Sequence, residues 1–462
     1  MKKYPFLPAF LLCLSILLSL IAPARASGTG VDDFTLNATA AVLMEADTGE
    51  ILYTLNPDEP RYPAALTKIM TALLTVEAVE AEGDFSLDTQ VVLDGNLYTG
   101  IAADTSAQKL RVGEVLTVRD LLYLTMISGS NEASNALAMA VTGSIPAFVE
   151  LMNARAQELG MTGTHFTNPH GYHDDDHYTT ARDMAYLCRE ALNHNDLREI
   201  LSTGGGHVIP ATNLSGERTL KNTNALMPNA IPAGYRYQYA IGIKTGSTSK
   251  AGYCLASAAE KNHRTVIAIL LGGINWIKND LEVPYNYFTE SRRLLNYGFN
   301  SFSKKTVLDV IEPLGTVPVS LCAQQDYVTV QPAQSITATL PNSLDPALFQ
   351  RDVVLPQEAL RAPIEKGQVL GTVTVSYNGV DYGTVDLVAA TSLERSQGLY
   401  LLDRLGWALS HLWVRLLLLA MVILIVLFSL RRAAFGATRP RRRRRKPRQG
   451  NAHGGSYRGR GR

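Results

Sequence analysis

Cysteine is scarce in this chain, with four in 462 residues. Cys13 falls in an apolar N-terminal leader, which leaves Cys188, Cys254 and Cys322. An odd and sparse set of this kind excludes a disulfide framework. Cys188 and Cys254 lie in apolar contexts and are expected to be buried small hydrophobes, so chain length and core, not cross-links, must supply stability. Acid is missing from the C-terminal end: residues 431–462 hold 13 Lys and Arg and no Asp or Glu. The formal net charge of +1 hides this, because residues 27–430 carry 27 basic against 42 acidic side chains, a formal −15. An acidic body argues against nucleic acid as a partner. A basic tail beside a membrane reads as anionic-lipid contact and a determinant of topology.

Long apolar runs are also few, and the two present sit at the ends. Residues 1–26 combine Lys2-Lys3, an apolar run from Phe6 to Ile21 and Ala24-Arg25-Ala26, the three parts of a secretory signal peptide. The second run, 411–430, reaches the roughly 20 residues needed to cross a bilayer. Trp407 and Trp413 suit the outer interface, and Arg415 is placed to snorkel. Beyond it come Arg431-Arg432 and Arg441 to Arg445. That charge asymmetry predicts a single-pass protein of the cell membrane, with the main domains extracellular and the tail 431–462 cytoplasmic. Residues 391–410 read as an amphipathic connector into the membrane.

Between these ends two regions differ in pattern. Residues 37–302 mix helical and strand signals: an apolar strand at Ala40 to Met44 with a turn before Ile51-Leu52-Tyr53, and a buried helix over Ala64 to Val79 started by Pro63. Two helical runs follow around 128–131, then strands at 241–246, 253–258 and 265–271. Strands at both ends with helices between them predict an α+β fold, an antiparallel sheet flanked by a helical cluster. Residues 306–390 lose the helical signal and read as a small all-β domain, with a hairpin turn at Asn378-Gly379.

Three short motifs carry chemistry. Pro63-Ala64-Ala65-Leu66-Thr67-Lys68, Gly129-Ser130-Asn131 and Lys244-Thr245-Gly246 resemble the Ser-x-x-Lys, Ser-x-Asn and Lys-Thr-Gly signatures of penicillin-binding proteins and serine β-lactamases. Further runs resemble the D-alanyl-D-alanine carboxypeptidases in particular: Asp47-Thr48-Gly49, Asn168-Pro169-His170-Gly171 and Tyr178 to Asp183. The resemblance covers nearly all of 37–390. It implies a β-lactamase/transpeptidase-like domain and a family reaction in peptidoglycan metabolism, removal of the terminal D-alanine from stem pentapeptides through a serine acyl-enzyme. Carried over residue by residue, Lys68 matches the general base and Asn131 the motif-two asparagine. Lys244, Thr245 and Gly246, with Ser247 and Thr248, match the substrate strand. The implied partners are stem peptides ending in D-Ala-D-Ala, with no cofactor and no metal.

Two hydroxyls of that pattern are missing. Ala65 stands where the nucleophilic serine is expected and Gly129 where the motif-two serine is expected. A serine beside a desolvated lysine is an activated nucleophile; an alanine is not. The backbone N–H of Ala65 still suits an oxyanion hole, which needs no side chain. The expectation is therefore a non-catalytic relative that binds peptidoglycan or partner enzymes and takes β-lactams at most non-covalently. The alternative is an active serine-type hydrolase using Ser128 or Ser130, brought near the site by a local slip. Thr67 is a poor substitute, because it points to another helix face. His170, His173 and His177 among Asp174-Asp175-Asp176 have metal-ligand chemistry, but their spacing fits no helical ligand pair and the segment reads as a structural loop.

Overall fold

The computed structural model describes residues 34–81, 83–101, 109–273, 276–278, 281–283 and 286–436. The expected signal peptide, and the tail beyond 436, lie outside the described residues.

The central sheet has five antiparallel strands: β1 (Ala40–Glu45), β2 (Ile51–Leu55), β3 (Ala240–Thr248), β4 (Gly252–Lys261) and β5 (Arg264–Gly273), in the order β2-β1-β5-β4-β3. Their side chains alternate with the period of two that a pleated strand imposes. Ala40, Val42 and Met44 of β1 join one buried cluster and Ala41 and Leu43 join another, so both faces of the sheet are covered. The predicted hairpin β1–β2 forms, with Val42 opposite Thr54.

The helices are α1 (Lys68–Glu80), α2 (Val118–Tyr123), α3 (Asn131–Thr142), α4 (Ile145–Glu158), α5 (Ala181–Asn193), α6 (Asn195–Leu201) and α7 (Asn286–Ser301). Helices α1 to α6 pack on one face, where Ile69, Leu73, Leu137 and Leu187 meet Val42 and Ile269. Helix α7 covers the other face through Phe288, Leu294 and Leu295. Local sequence sets the helix starts. Thr117 and Asp120 form a reciprocal capping box on α2, Ser130 caps α3, Ser144 caps α4 with Pro146 in the first turn, and Thr180 caps α5. Each such cap is worth about 1 kcal/mol.

Two compact units are present, divided at Glu312/Pro313, Gln331/Pro332, Val354/Leu355, Gly371/Thr372 and Asp386/Leu387. In the first, Phe302–Leu308 pairs antiparallel with Ile336–Pro341, and Gln350–Val354 pairs antiparallel with Thr372–Ser376. The turn into Val380–Ala389 is made by Asn378 (φ 49°) and Gly379 (φ 76°), the left-handed pair that a two-residue hairpin requires. In the second, Gly315–Pro318 pairs antiparallel with Tyr327–Val330, and Val319–Ser320 pairs parallel with Leu360–Arg361. It continues into α8 (Gln397–Ser410) and α9 (Leu412–Gly436). The segment Leu412–Arg432 is long and apolar enough to cross a membrane. At 1.5 Å per residue its 21 residues span about 32 Å, close to the thickness of a bilayer core.

Candidate active site

The helical reading of the first motif holds from Lys68 onward, but the chain enters differently. Ala64–Thr67 is a 3-10 turn, and Ala64 sits at φ 49°, a left-handed conformation that costs an alanine roughly 1–2 kcal/mol. Ala65 follows it and is half-buried. Lys68, at the N-terminus of α1, is 1 % exposed. Its Nζ donates to Asn131 Oδ1 at 2.6 Å and to the carbonyl of His170 at 2.5 Å.

Motif two lies between α2 and α3. Helix α2 runs into a π turn, Leu124–Ser128, and then Gly129 at φ 75°. A π turn holds one residue more than an α turn. Gly129 supplies the left-handed geometry, Ser130 caps α3, and Asn131 opens that helix toward Lys68. A side chain at 129 would aim at Lys244, whose Nζ lies 3.4 Å from the Cβ position.

Motif three is the end of β3, the edge strand of the sheet. Alternation along it buries Lys244 and Gly246, leaves Thr245 half-buried and exposes Ser247. A Cβ at Gly246 would come within 2.9 Å of the Ala65 nitrogen, so only glycine lets this strand approach the motif-one turn so closely. Thr245 Oγ1 is 2.6 Å from Thr223 Oγ1. The fold thus brings Ala65, Lys68, Gly129, Asn131, Lys244 and Gly246 together. Thr248 turns back instead, its Oγ1 accepting from the Ala251 N–H at 2.9 Å.

Electrostatically the site is cationic. Burial holds the Lys68 ammonium well below the usual lysine range, the Lys244 charge pushes it further, and Glu132 partly offsets both. Burial alone brings Lys244 down to about 8. Its Nζ makes no hydrogen bond or ion pair among the described residues. Glu132, buried in the first turn of α3, accepts from Ser130 Oγ at 2.9 Å, and its Oε1 has no partner among the described residues.

The two alternative hydroxyls are engaged elsewhere. Ser128 Oγ donates to the Leu124 carbonyl at 2.7 Å. Ser130 Oγ accepts from the Ala133 N–H at 3.1 Å and donates to Glu132. Thr67 Oγ1 lies 2.9 Å from the Ala64 carbonyl and 2.8 Å from His177 Nε2.

The histidine loop props the motif-one turn. Gly171, at φ 79°, passes so close that a Cβ would stand 1.8 Å from the Ala64 oxygen. Thr71 Oγ1 donates to the Pro169 carbonyl at 2.5 Å. Burial first, then Lys68 and His177, pushes His170 down to about 3, and burial first of all lowers His177 to about 4. Both rings are therefore neutral at neutral pH. Sequence reasoning treated this loop as structural but missed that the His170 carbonyl holds Lys68. It also missed Glu132 and Thr223. The acidic residue just after Asn131, in a helical first turn, was the available signal for Glu132. Glu77, Glu190 and His194 present ligand atoms within 4.8 Å of one another. Arg155, at 2.7 Å from Glu77 and 2.8 Å from Glu190, already balances these carboxylates.

A helix-flanked antiparallel sheet whose edge strand faces a lysine-bearing helix N-terminus defines a transpeptidase-like fold. Residues 27–275 match the model of the D-alanyl-D-alanine carboxypeptidase family, and residues 302–395 match that of the penicillin-binding protein 5 C-terminal domain. The chain belongs to the D-alanyl-D-alanine carboxypeptidase family. It is 29% identical over 373 residues to D-alanyl-D-alanine carboxypeptidase DacF of Bacillus subtilis, covering 80% of this chain and 90% of that protein. It is 30% identical to DacA of Escherichia coli K12, covering 74% and 80%. Penicillin-binding protein 5 of Haemophilus influenzae superposes with a TM-score of 0.59 at 28% identity, covering 79% of this chain and all of that one.

Proposed function

We infer that this chain is a catalytically degenerate member of its family, anchored in the cell membrane, whose groove recognises peptidoglycan stem peptides ending in D-Ala-D-Ala without cleaving them. The observation that carries this reading is the pairing of a retained frame with an absent nucleophile. Lys68, Asn131 and Lys244 converge beside Ala65, whose methyl group cannot attack a carbonyl. In this reading Lys68 and Asn131 are the inherited catalytic positions. Lys244, Thr245, Gly246 and Ser247 receive the peptide along the open edge of β3, where backbone hydrogen bonds suffice for an extended chain. Thr248 belongs to the same strand end. Removing the serine from a comparable hydroxyl-nucleophile protease costs roughly 10⁶ in turnover. The domains before Leu412 lie outside the cell and the basic tail inside, following the distribution of Lys and Arg.

The second reading, an active serine hydrolase, rests on Ser128 and Ser130 standing next to Gly129. Their engagement with the Leu124 carbonyl and with α3 weighs against it. Incubation of the full chain in detergent with a fluorescent penicillin, followed by a denaturing gel, separates the two. The expected result is an unlabelled band. A stoichiometric labelled band that survives denaturation overturns the degenerate reading and makes Ser128 and Ser130 the first residues to replace.

A further inference from the structure

The site has a buried lysine with no hydrogen-bond partner among the described residues and lacks side-chain hydroxyls at 65 and 129, and together these favour a different ligand end from the family's substrate. The titratable groups that bear on Lys68 are Lys244 on β3, Glu132 on α3 and His170 and His177 on the loop. The histidines are neutral at pH 7, so Glu132 is the one carboxylate among these groups, and it is engaged by Ser130 and not by Lys244. Lys244 is 2 % exposed and has no hydrogen-bond partner among the described residues. A buried cation left in that state is costly unless something pairs with it. It points to where a side chain at 129 would be, 3.4 Å from that Cβ position. Ala65 is half-buried and lacks the oxygen that a serine would carry beside its own N–H.

A scissile amide brings one oxygen and no charge to this point. A carboxylate brings two oxygens and a full negative charge, and with no serine Oγ present the second oxygen has room. We propose that the groove preferentially binds stem peptides that have already lost their terminal D-alanine, holding the new C-terminal carboxylate between the Ala65 N–H, Lys68 and Lys244. The chain would then read the product of its relatives' reaction and mark trimmed wall. This rests on the reading that the groove receives stem peptides at all. No bond is made or broken in it.

Two peptides test the proposal: diacetyl-L-Lys-D-Ala-D-Ala and diacetyl-L-Lys-D-Ala, titrated by calorimetry into the full chain in detergent micelles at pH 7.0 and 9.5. The expected result is at least about a ten-fold tighter affinity for the trimmed peptide at pH 7.0. That preference should fall away at pH 9.5, because the ammonium of Lys244, with its pKa near 8, has then largely lost its proton. Ala65→Ser, which refills the space, should reduce the preference while leaving the melting temperature unchanged. Equal affinities, or tighter binding of the longer peptide, overturn the product-reading proposal and leave stem-peptide recognition standing. If neither peptide binds at millimolar concentration, stem-peptide recognition falls and the proposal falls with it. A preference that is the same at both pH values removes Lys244 from the carboxylate site and overturns the proposal as stated.

Discussion

Replacing Lys244 by methionine should make the protein more stable. Lys244 is buried on β3, and its Nζ makes no hydrogen bond that the change would break. Methionine has similar length and fills irregular spaces well. Burial lowers the lysine from 10.5 to about 8, a difference worth about 3 kcal/mol. Below pH 8 the folded and unfolded chains both carry the proton, so the whole penalty weighs on the native state. Between about 8 and 10.5 only the unfolded chain keeps it, and stability rises with pH. Above 10.5 the penalty is gone. Lys68 contributes a penalty of the same sign, present in both proteins, and loses the repulsion of its neighbour in the variant. Exchanging buried charges for apolar groups elsewhere gains about 1–4 kcal/mol, so about 1–3 kcal/mol is expected at pH 7. In a domain of this size that raises the melting temperature by several degrees. Melting followed by far-ultraviolet circular dichroism at pH 7, 8, 9 and 10.5 reads the effect. The gap between variant and parent should be widest at pH 7 and narrow steadily with pH. A variant that melts at or below the parent at pH 7, or a gap that ignores pH, refutes the claim that Lys244 is an unpaired buried cation.

Two further outcomes follow from the site's backbone. Ala65→Ser alone should recover penicillin acylation poorly, and Ala65→Ser with Gly129→Ser should do clearly better, since groups that relay one proton act as a unit. The gain is limited by the left-handed φ of 75° at 129, which costs a serine about 1–2 kcal/mol; equal acylation rates in single and double variants would remove position 129 from the mechanism. Gly171→Ala should destabilise the full chain by about 3 kcal/mol or more, adding left-handed strain to a Cβ placed 1.8 Å from the Ala64 oxygen. A melting temperature within a degree of the parent would show that the loop does not bear on the motif-one turn.

Legibility in the sequence followed the range of the interaction. Strands β1 to β5 show as apolar runs because both sheet faces are buried, and Asn378-Gly379 shows as a turn because few residue pairs adopt two successive left-handed conformations. The C-terminal helix Leu412–Arg432 is legible as long and apolar enough to cross a membrane because length and composition alone decide that. The site residues were legible through motif spacing, which records which side chains must meet without recording how. What escaped depends on tertiary contact. The motif-one helix was expected from Ala64, yet the approach of Gly171 and β3 forces a left-handed Ala64 and a 3-10 turn before Lys68. The role of the His170 carbonyl is a backbone property that no side chain announces. The capping of α3 by Ser130 is locally readable, but its consequence, that this hydroxyl is withheld from the groove, is not.

The π turn at Leu124–Ser128 gives the two missing hydroxyls different characters. At position 65 the loss is one of identity: the residue count is right and the atom is absent. At motif two Gly129 stands at the serine position, and a serine is also present in Ser128, three places before Asn131 instead of two. Omitting Gly129 would leave Ser128-Ser130-Asn131 contiguous, with the spacing of the family's second motif. A serine at 65 would supply the first hydroxyl alone; a serine at 129, or the loss of Gly129, would supply the second alone. Either repair alone leaves the proposed relay incomplete. The extra residue in the π turn thus gives the second motif two routes back to the family's spacing, where position 65 has one.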